Sequence, residues 1–153
     1  MAEAETHIFR VSLKNRRSVH RDIEIESAKT LADFAEAIVQ AFDFDFDHAF
    51  GFYPETKGRA VTRGLPAYEL FADIDAATEA RSVRKTKVAQ VFSKIGDAMI
   101  FLFDYGDEWL FRVELTALGR KAGKTCYPRV LAKAGPSLVQ YPGPDDEGDV
   151  DEA

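Results

Sequence analysis

The sequence predicts an α+β domain in which one main helix packs on one face of a mainly antiparallel sheet of about five strands. The first observation is the stretch Ala98–Ala117, where an apolar run, a turn rich in Asp and Gly, and an alternating run follow one another. Such a pattern is typical of a β-hairpin. The second observation is an apolar stripe at helical spacing between residues 30 and 42. A helix with a single apolar face needs a sheet to cover it.

The chain begins with two further alternating runs that predict a first hairpin. Apolar side chains recur at every second position in His7–Lys14 and again in Arg21–Glu26. In an antiparallel pair of strands, the two apolar sets lie on the same face if the numbers of two residues opposite one another add up to an even number. We therefore expect Val11 opposite Ile23, with a three-residue loop at Arg16–Ser18.

A helix is expected to follow, because Thr30 is a favourable N-cap and Asp33 lies near the positive end of the helix dipole. Four apolar residues then share one helical face: Leu31, Phe34, Ile38 and Phe42. The segment His48–Tyr53 is predicted as a strand that Pro54 closes.

The remaining segments are harder to assign. Residues 54–87 lack clear periodicity, so the sequence predicts no secondary structure for them as a whole, although Tyr68–Ile74 fits one helical turn or a strand. Pro128–Ala134 is predicted as a short helix and Ser137–Pro142 as extended. The β-β-α-β-β order is similar to a β-grasp arrangement, a mixed sheet in which the first and last strands pair in parallel.

Length and charge predict one domain, residues 1–142, and an acidic tail, residues 143–153. The tail has six acidic residues and no basic residue, which leaves the rest of the chain formally neutral. We expect the tail to be disordered, because it has little apolar surface to bury. With no long apolar run and no signal-peptide pattern, the protein is expected to be soluble and cytoplasmic, without a membrane partner.

The hairpin turn contributes most of the candidate site residues. Asp104 and Asp107 could share a proton or bind a hard cation, but Asp in a turn commonly accepts hydrogen bonds from nearby backbone N–H groups. We favour that structural interpretation. Trp109 is a candidate ligand platform, with a role as a core anchor favoured.

His48 is a further candidate, because neighbouring Asp45 and Asp47 would raise its pKa and suit it to proton transfer. The alternative is a hydrogen-bonded strand residue. His7 and His20 are expected to face solvent or a strand end. Cys126 has no partner for a disulfide or a cysteine-based zinc site, so we predict neither a metal site nor a cofactor.

Basic residues around the first turn could contact nucleic-acid phosphates. They are Arg10, Lys14, Arg16, Arg17 and Arg21. Solvated side chains on a polar sheet face are the favoured interpretation, since the acidic tail would compete for the same surface.

Two segments resemble the plasmid pRi open-reading-frame-three-like family, whose members are also labelled insertion-element passenger proteins of the TnpR type. They are the stretch Phe103–Trp109, FDYGDEW, and the strand from Asp45 to Phe52 that contains His48. The resemblance implies no established activity. Members usually carry a His where this chain has Phe111, and often end in a cysteine-containing stretch where it has Gly135–Pro144. These departures argue against a metalloenzyme.

Three functions therefore stay open. The favoured one is a non-enzymatic accessory module that binds a protein or peptide at the exposed face or edge of the sheet. The second is a nucleic-acid-associated accessory of a mobile element. The third is an enzyme whose site combines His48, Asp104 and Asp107.

Overall fold

The structure, a computed structural model, describes residues 4–55, 62, 64–74, 78–136 and 138. It contains eight strands: β1 (Thr6–Leu13), β2 (Arg16–Glu26), β3 (Phe50–Pro54), β4 (Tyr68–Glu69), β5 (Arg81–Ser82), β6 (Ala98–Phe103), β7 (Trp109–Gly119) and β8 (Arg129–Ala134). Two α-helices accompany them: α1 (Leu31–Ala41) and α2 (Val88–Val91). A short 3-10 helix spans Leu70–Asp73. No helix in these described ranges is long and apolar enough to cross a bilayer.

All eight strands form one sheet in the order β5-β4-β3-β6-β7-β1-β2-β8. The prediction of about five strands is therefore wrong. Two of the additional strands, β4 and β5, have two residues each, which is too short to produce a periodic pattern. The parallel pairing expected from a β-grasp arrangement is also wrong, because β1 lies antiparallel to both β2 and β7. The sheet is mixed only through the parallel pair β4–β5.

The first hairpin has the predicted faces but a different register. Val11 lies opposite Arg21 and Phe9 opposite Ile23, two residues away from the predicted pairing. The turn is formed by residues 14 and 15, not by the predicted loop Arg16–Ser18, and an irregularity follows Ser12. A shift of two residues keeps the sum even, so the same side chains still face the core.

Helix α1 begins as the sequence predicts. The Thr30 side chain accepts a hydrogen bond from the Asp33 backbone N–H, and the Asp33 carboxylate accepts one from the Thr30 N–H. This reciprocal capping satisfies two of the N–H groups that a helix start leaves without partners.

One face of the sheet and the inner side of α1 enclose an aromatic core. The Phe34 ring lies 4.4 Å from the Phe9 ring and 6.0 Å from the Phe52 ring, centroid to centroid. At the other end of α1, Phe42 packs against Phe111 at 4.8 Å. The opposite face of the sheet carries a smaller apolar cluster and also charged side chains such as the bidentate ion pair of Arg10 with Asp22.

Two more segments differ from the prediction. Pro128–Ala134 is not a helix, because Arg129–Ala134 forms β8 and pairs with β2. Between residues 54 and 87 the chain forms β4, the 3-10 helix and β5, so Tyr68–Ile74 combines a strand with a helical turn. The predicted tail, residues 143–153, and nearly all of Ser137–Pro142 lie outside the described residues.

Candidate functional site

The turn between β6 and β7 is organised by Asp104. This residue adopts a left-handed conformation with φ of 68°, which Asp tolerates better than most residues. Its Oδ1 accepts hydrogen bonds from the backbone N–H groups of Gly106 and Asp107, at 3.0 and 3.3 Å. Its own N–H donates to the Ala49 carbonyl at 2.9 Å. The Asp104 carboxylate thus stabilises the turn, and the residue is 7% exposed.

His48 lies directly beside this turn. Its Nε2 is 3.4 Å from Asp104 Oδ2 and 3.6 Å from Asp47 Oδ1. The ring meets Phe103 edge-on at 5.9 Å. The structure therefore brings the candidates His48 and Asp104 together, whereas Asp107 is exposed and joins them through its backbone N–H.

Trp109, the fourth candidate, points into the core. Its ring makes an edge contact with Phe44 at 4.8 Å, and it packs against the main apolar cluster. The indole Nε1 is buried and, among the described residues, has no hydrogen-bond partner. This position suits a core anchor, although Trp109 is only partly buried.

A cavity of about 490 Å³ adjoins His48. Its wall includes Phe46, Phe50, Phe71 and Arg84, while Asp104 does not line it. A His–carboxylate pair at such a wall can relay a proton, but no Ser, Thr or Cys is among the described lining residues. The described residues also contain no group of three His, Cys, Asp or Glu side chains placed to hold a metal ion.

The five basic residues proposed for phosphate contact do not share one surface. Arg21 is 1% exposed and faces the core. Arg10 is half-exposed on the polar face, where Asp22 neutralises it. Lys14, Arg16 and Arg17 remain near the turn at residues 14 and 15. Arg21 therefore leaves the set of possible phosphate contacts, and Arg10 contributes little positive charge to it.

A second polar cluster lies on the sheet face opposite α1. The Tyr53 hydroxyl donates to the Glu69 carboxylate and lies 2.7 Å from the Tyr105 hydroxyl. Burial, together with these hydrogen bonds, raises the pKa of Tyr53 well above its usual range, because charge on the ring oxygen would be poorly solvated. Gly51 leaves room for this pair, since a Cβ there would lie 2.8 Å from the Tyr53 ring.

We expected His7 to face solvent or a strand end. His7 does lie near the start of β1, but it does not face solvent, because it is 5% exposed and lies on the core side of the strand. It contacts the Ser27 hydroxyl and the Phe92 carbonyl. Sequence reasoning missed this residue although a signal was present, because His7 has the same strand parity as Phe9 and Val11. The same signal was available for Arg21, which shares the parity of Ile23.

The fold of this chain is similar to that of a solved structure, although the sequences differ widely. No curated protein matches the chain. A crystal structure of a protein of unknown function from Methanosarcina mazei Go1 is similar in fold, with a TM-score of 0.71 and 18% sequence identity. The similarity covers 90% of this chain and 73% of that chain.

The sequence profile of plasmid pRiA4b ORF-3-like proteins matches residues 5–145, which include every described strand and helix. That range also contains the FDYGDEW turn and the strand after His48, the segments on which the resemblance was based. The chain belongs to the plasmid pRiA4b ORF-3-like protein family.

Proposed function

We propose that this protein is a peptide-binding module in which the outer edge of β8 pairs with an extended segment of a partner protein. The observation that carries the proposal is the position of β8. It is the last strand in the sheet order and, within the described part of the chain, pairs only with β2. An edge strand presents backbone N–H and C=O groups that a further strand can satisfy.

The side chains of β8 are consistent with a binding surface. Five of its six residues are exposed, among them Val130 at 40% and Leu131 at 43%. Beside Val130, a cavity of about 150 Å³ lies between β8 and α1, with Ala37 and Ala41 in its wall. This cavity is large enough for one apolar side chain of an added strand.

The charge of β8 argues against a second copy of this chain as the occupant. If two β8 strands paired antiparallel around Leu131, Arg129 of each copy would lie opposite Lys133 of the other. Like charges directly opposite one another are destabilising. We therefore assign the edge to a peptide that combines apolar and acidic residues.

Selection from a phage library of random decapeptides tests this function. We expect the enriched sequences to alternate apolar and acidic residues and to bind without change in the fold of the module. A synthetic copy of an enriched peptide, N-methylated at alternate residues so that it cannot pair with β8, should lose binding. No enrichment, or unchanged binding by the N-methylated peptide, would contradict the proposal.

Charge reversal provides matched variants for the same assay. Lys133→Glu changes the proposed edge and should weaken the binding of an acidic peptide about tenfold, which corresponds to about 1.4 kcal/mol of binding free energy. Arg17→Glu makes the same charge change on the exposed turn side of β2 and should have no effect. Equal effects of both variants would indicate unspecific attraction, and dimerisation that competes with the peptide would assign the edge to a second copy.

The alternative of a nucleic-acid accessory of a mobile element has less support, because Arg21 is buried and Arg10 is paired with Asp22. Arg17→Glu tests it: a loss of binding to a short DNA duplex at low salt would favour that alternative. The single cysteine, Cys126, is exposed and free. A free thiol suits the reducing cytoplasm, where we place the proposed function.

A further inference from the structure

A third cavity, of about 660 Å³, opens where β1 begins and β2 ends, and its volume is in the range of small-molecule sites. Helix α2 and the segment after β7 complete the wall. The polar residues that matter here are His7, Ser27, Glu26, Lys87 and Lys121. None of them belongs to the edge of β8, so this cavity is independent of the proposed peptide site.

The contacts of His7 fix its tautomer. Nε2 lies 2.9 Å from the Phe92 carbonyl oxygen, and Nδ1 lies 2.7 Å from Ser27 Oγ. A carbonyl can only accept a hydrogen bond, so Nε2 carries the proton. Nδ1 then presents its lone pair, and the Ser27 hydroxyl must donate to it. This is the arrangement that activates a serine: a base within hydrogen-bond reach and a third group that orients the base.

The surroundings of His7 keep it in its basic form. Burial lowers the pKa of His7, opposed by the hydrogen bond to Phe92. The imidazole is therefore neutral at pH 7 and able to take a proton. The charged groups on this cavity wall are Glu5 and Glu26 near the sheet and Lys87 and Lys121 from the two flanking segments. Lys121 Nζ pairs with Glu26 Oε2 at 2.6 Å.

Ser27 is held rigidly at the cavity wall. Its backbone N–H donates to the Glu5 carbonyl at 2.9 Å, and its carbonyl accepts from the Ala89 N–H at 3.3 Å. The residue is 9% exposed, which limits access to small groups. A serine that lines a cavity, with its hydroxyl held beside a base, is pre-oriented for attack on a bound carbonyl.

We propose that Ser27 is the nucleophile and His7 the general base of an acyl-transfer site for esters of small carboxylic acids. Ser27 Oγ attacks the carbonyl carbon of the ester while its proton passes to His7 Nδ1. The bond between that carbon and the leaving oxygen then breaks, and His7 returns the proton to the leaving alcohol. A water molecule, deprotonated by His7, attacks the acyl-serine and releases the carboxylic acid, and Ser27 regains its proton.

The Phe92 carbonyl and the two lysines have distinct parts in this scheme. The carbonyl accepts from Nε2–H throughout and orients the ring while both nitrogens carry protons. Both lysines lie on the wall of the cavity, but the charge of Lys121 is balanced by its ion pair with Glu26, so Lys87 is the residue that contributes positive charge. Positive charge in a partly enclosed site stabilises the oxyanion that forms during attack.

Labelling of the folded full-length chain with a small alkyl fluorophosphonate tests the proposal, since an activated serine displaces fluoride from phosphorus. Peptide mass spectrometry should place the label on Ser27. Ser93→Ala, which removes another serine from the same wall, should label like the wild type. No label on Ser27, or equal labelling of Ser27 and Ser93, would overturn the proposal.

His7→Gln separates catalysis from structure, because the Gln amide can still donate to the Phe92 carbonyl but cannot act as a base. We expect labelling of Ser27 to slow by at least about 100-fold, the usual contribution of a general base, at an unchanged melting temperature. In the wild type the rate should fall on acidification as His7 becomes protonated, with its midpoint below the ordinary imidazole value of about 6.5, because burial lowers the pKa of His7. A rate that His7→Gln leaves unchanged, or that has no acid limb, would contradict the role of His7.

Discussion

Arg21 offers the most direct test of how this sheet is held to its helix. The guanidinium donates to the Ala41 carbonyl at the end of α1, at 3.1 Å, and to the Ala134 carbonyl at the end of β8, at 2.9 Å. It also contacts the carbonyl oxygens of Gly135 and Pro136 at 3.4 and 3.3 Å. One buried side chain thus connects the last turn of the helix to the edge strand.

Replacement by Met keeps the apolar stem but removes every donor. The carbonyl of the buried Ala41 loses its partner at a cost of about 1–3 kcal/mol, whereas Gly135 and Pro136 are exposed and water can replace the guanidinium there. The contact of the guanidinium with the Phe42 ring, at 4.9 Å, is also lost. Part of this cost is offset because no charge has to be buried any longer. We therefore expect Arg21→Met to lower the free energy of unfolding by about 2–4 kcal/mol. A loss of that size lowers the melting temperature by about 4–16 °C for a chain of this length.

Urea unfolding followed by circular dichroism measures this loss. Arg10→Met is the matched control, because Arg10 lies on the neighbouring strand but pairs with Asp22 on the polar face. An exposed ion pair of this kind contributes less than about 1 kcal/mol. Arg21→Lys should fall between the two, since an ammonium has three donors and no planar fork. If Arg21→Met costs no more than Arg10→Met, the carbonyl network does not stabilise the fold as we argue.

Three further predictions concern the helix cap and the tyrosine pair. Thr30→Ala removes the capping side chain of α1 and should cost about 1 kcal/mol in urea unfolding, whereas Thr30→Ser should be close to neutral. Gly51→Ala forces a methyl group against the Tyr53 ring and the Tyr105 hydroxyl and should destabilise the protein by about 1–3 kcal/mol in urea unfolding. Burial raises the pKa values of Tyr53 and Tyr105 above the usual value near 10, so above about pH 10 the unfolded chain loses protons that the folded chain retains, and the free energy of unfolding should fall. That fall should be smaller in Tyr53→Phe, and a profile identical to the wild type would argue against the assigned burial.

Local patterns were sufficient for the central elements. The hairpin β6–β7 and the helix α1 follow from alternation, turn chemistry and a cap, all of which act between residues close in sequence. The faces of the first hairpin followed as well, because strand parity is independent of the register. The register itself did not, since a turn at residues 14 and 15 and an irregularity after Ser12 shift the pairing by two residues.

The candidate site shows the same division. His48 and Asp104 are 56 positions apart, so the sequence shows that they are candidates for a site but not that they are neighbours. Their distance of 3.4 Å depends on the pairing of β3 with β6. The contact of His7 with Ser27 also depends on pairing, that of β1 with β2, although the strand parity of His7 already indicated the core side of β1. Pro128–Ala134 has the Pro and Gly signals of a short helix, and its short apolar run has no period that favours a strand, so the sequence does not predict β8.

The sequence alone determined the family, through the resemblance of the FDYGDEW segment, as well as the position of the main helix and the apolar side chains that face the core. The helix and the apolar faces depend on spacing within single elements, so no long-range information was needed for them. The number of strands, the edge position of β8, the burial of Arg21 and the contact of His7 with Ser27 were decided only by the tertiary structure. They depend on which distant segments pair, and that choice is made by the free energy of the whole packed sheet.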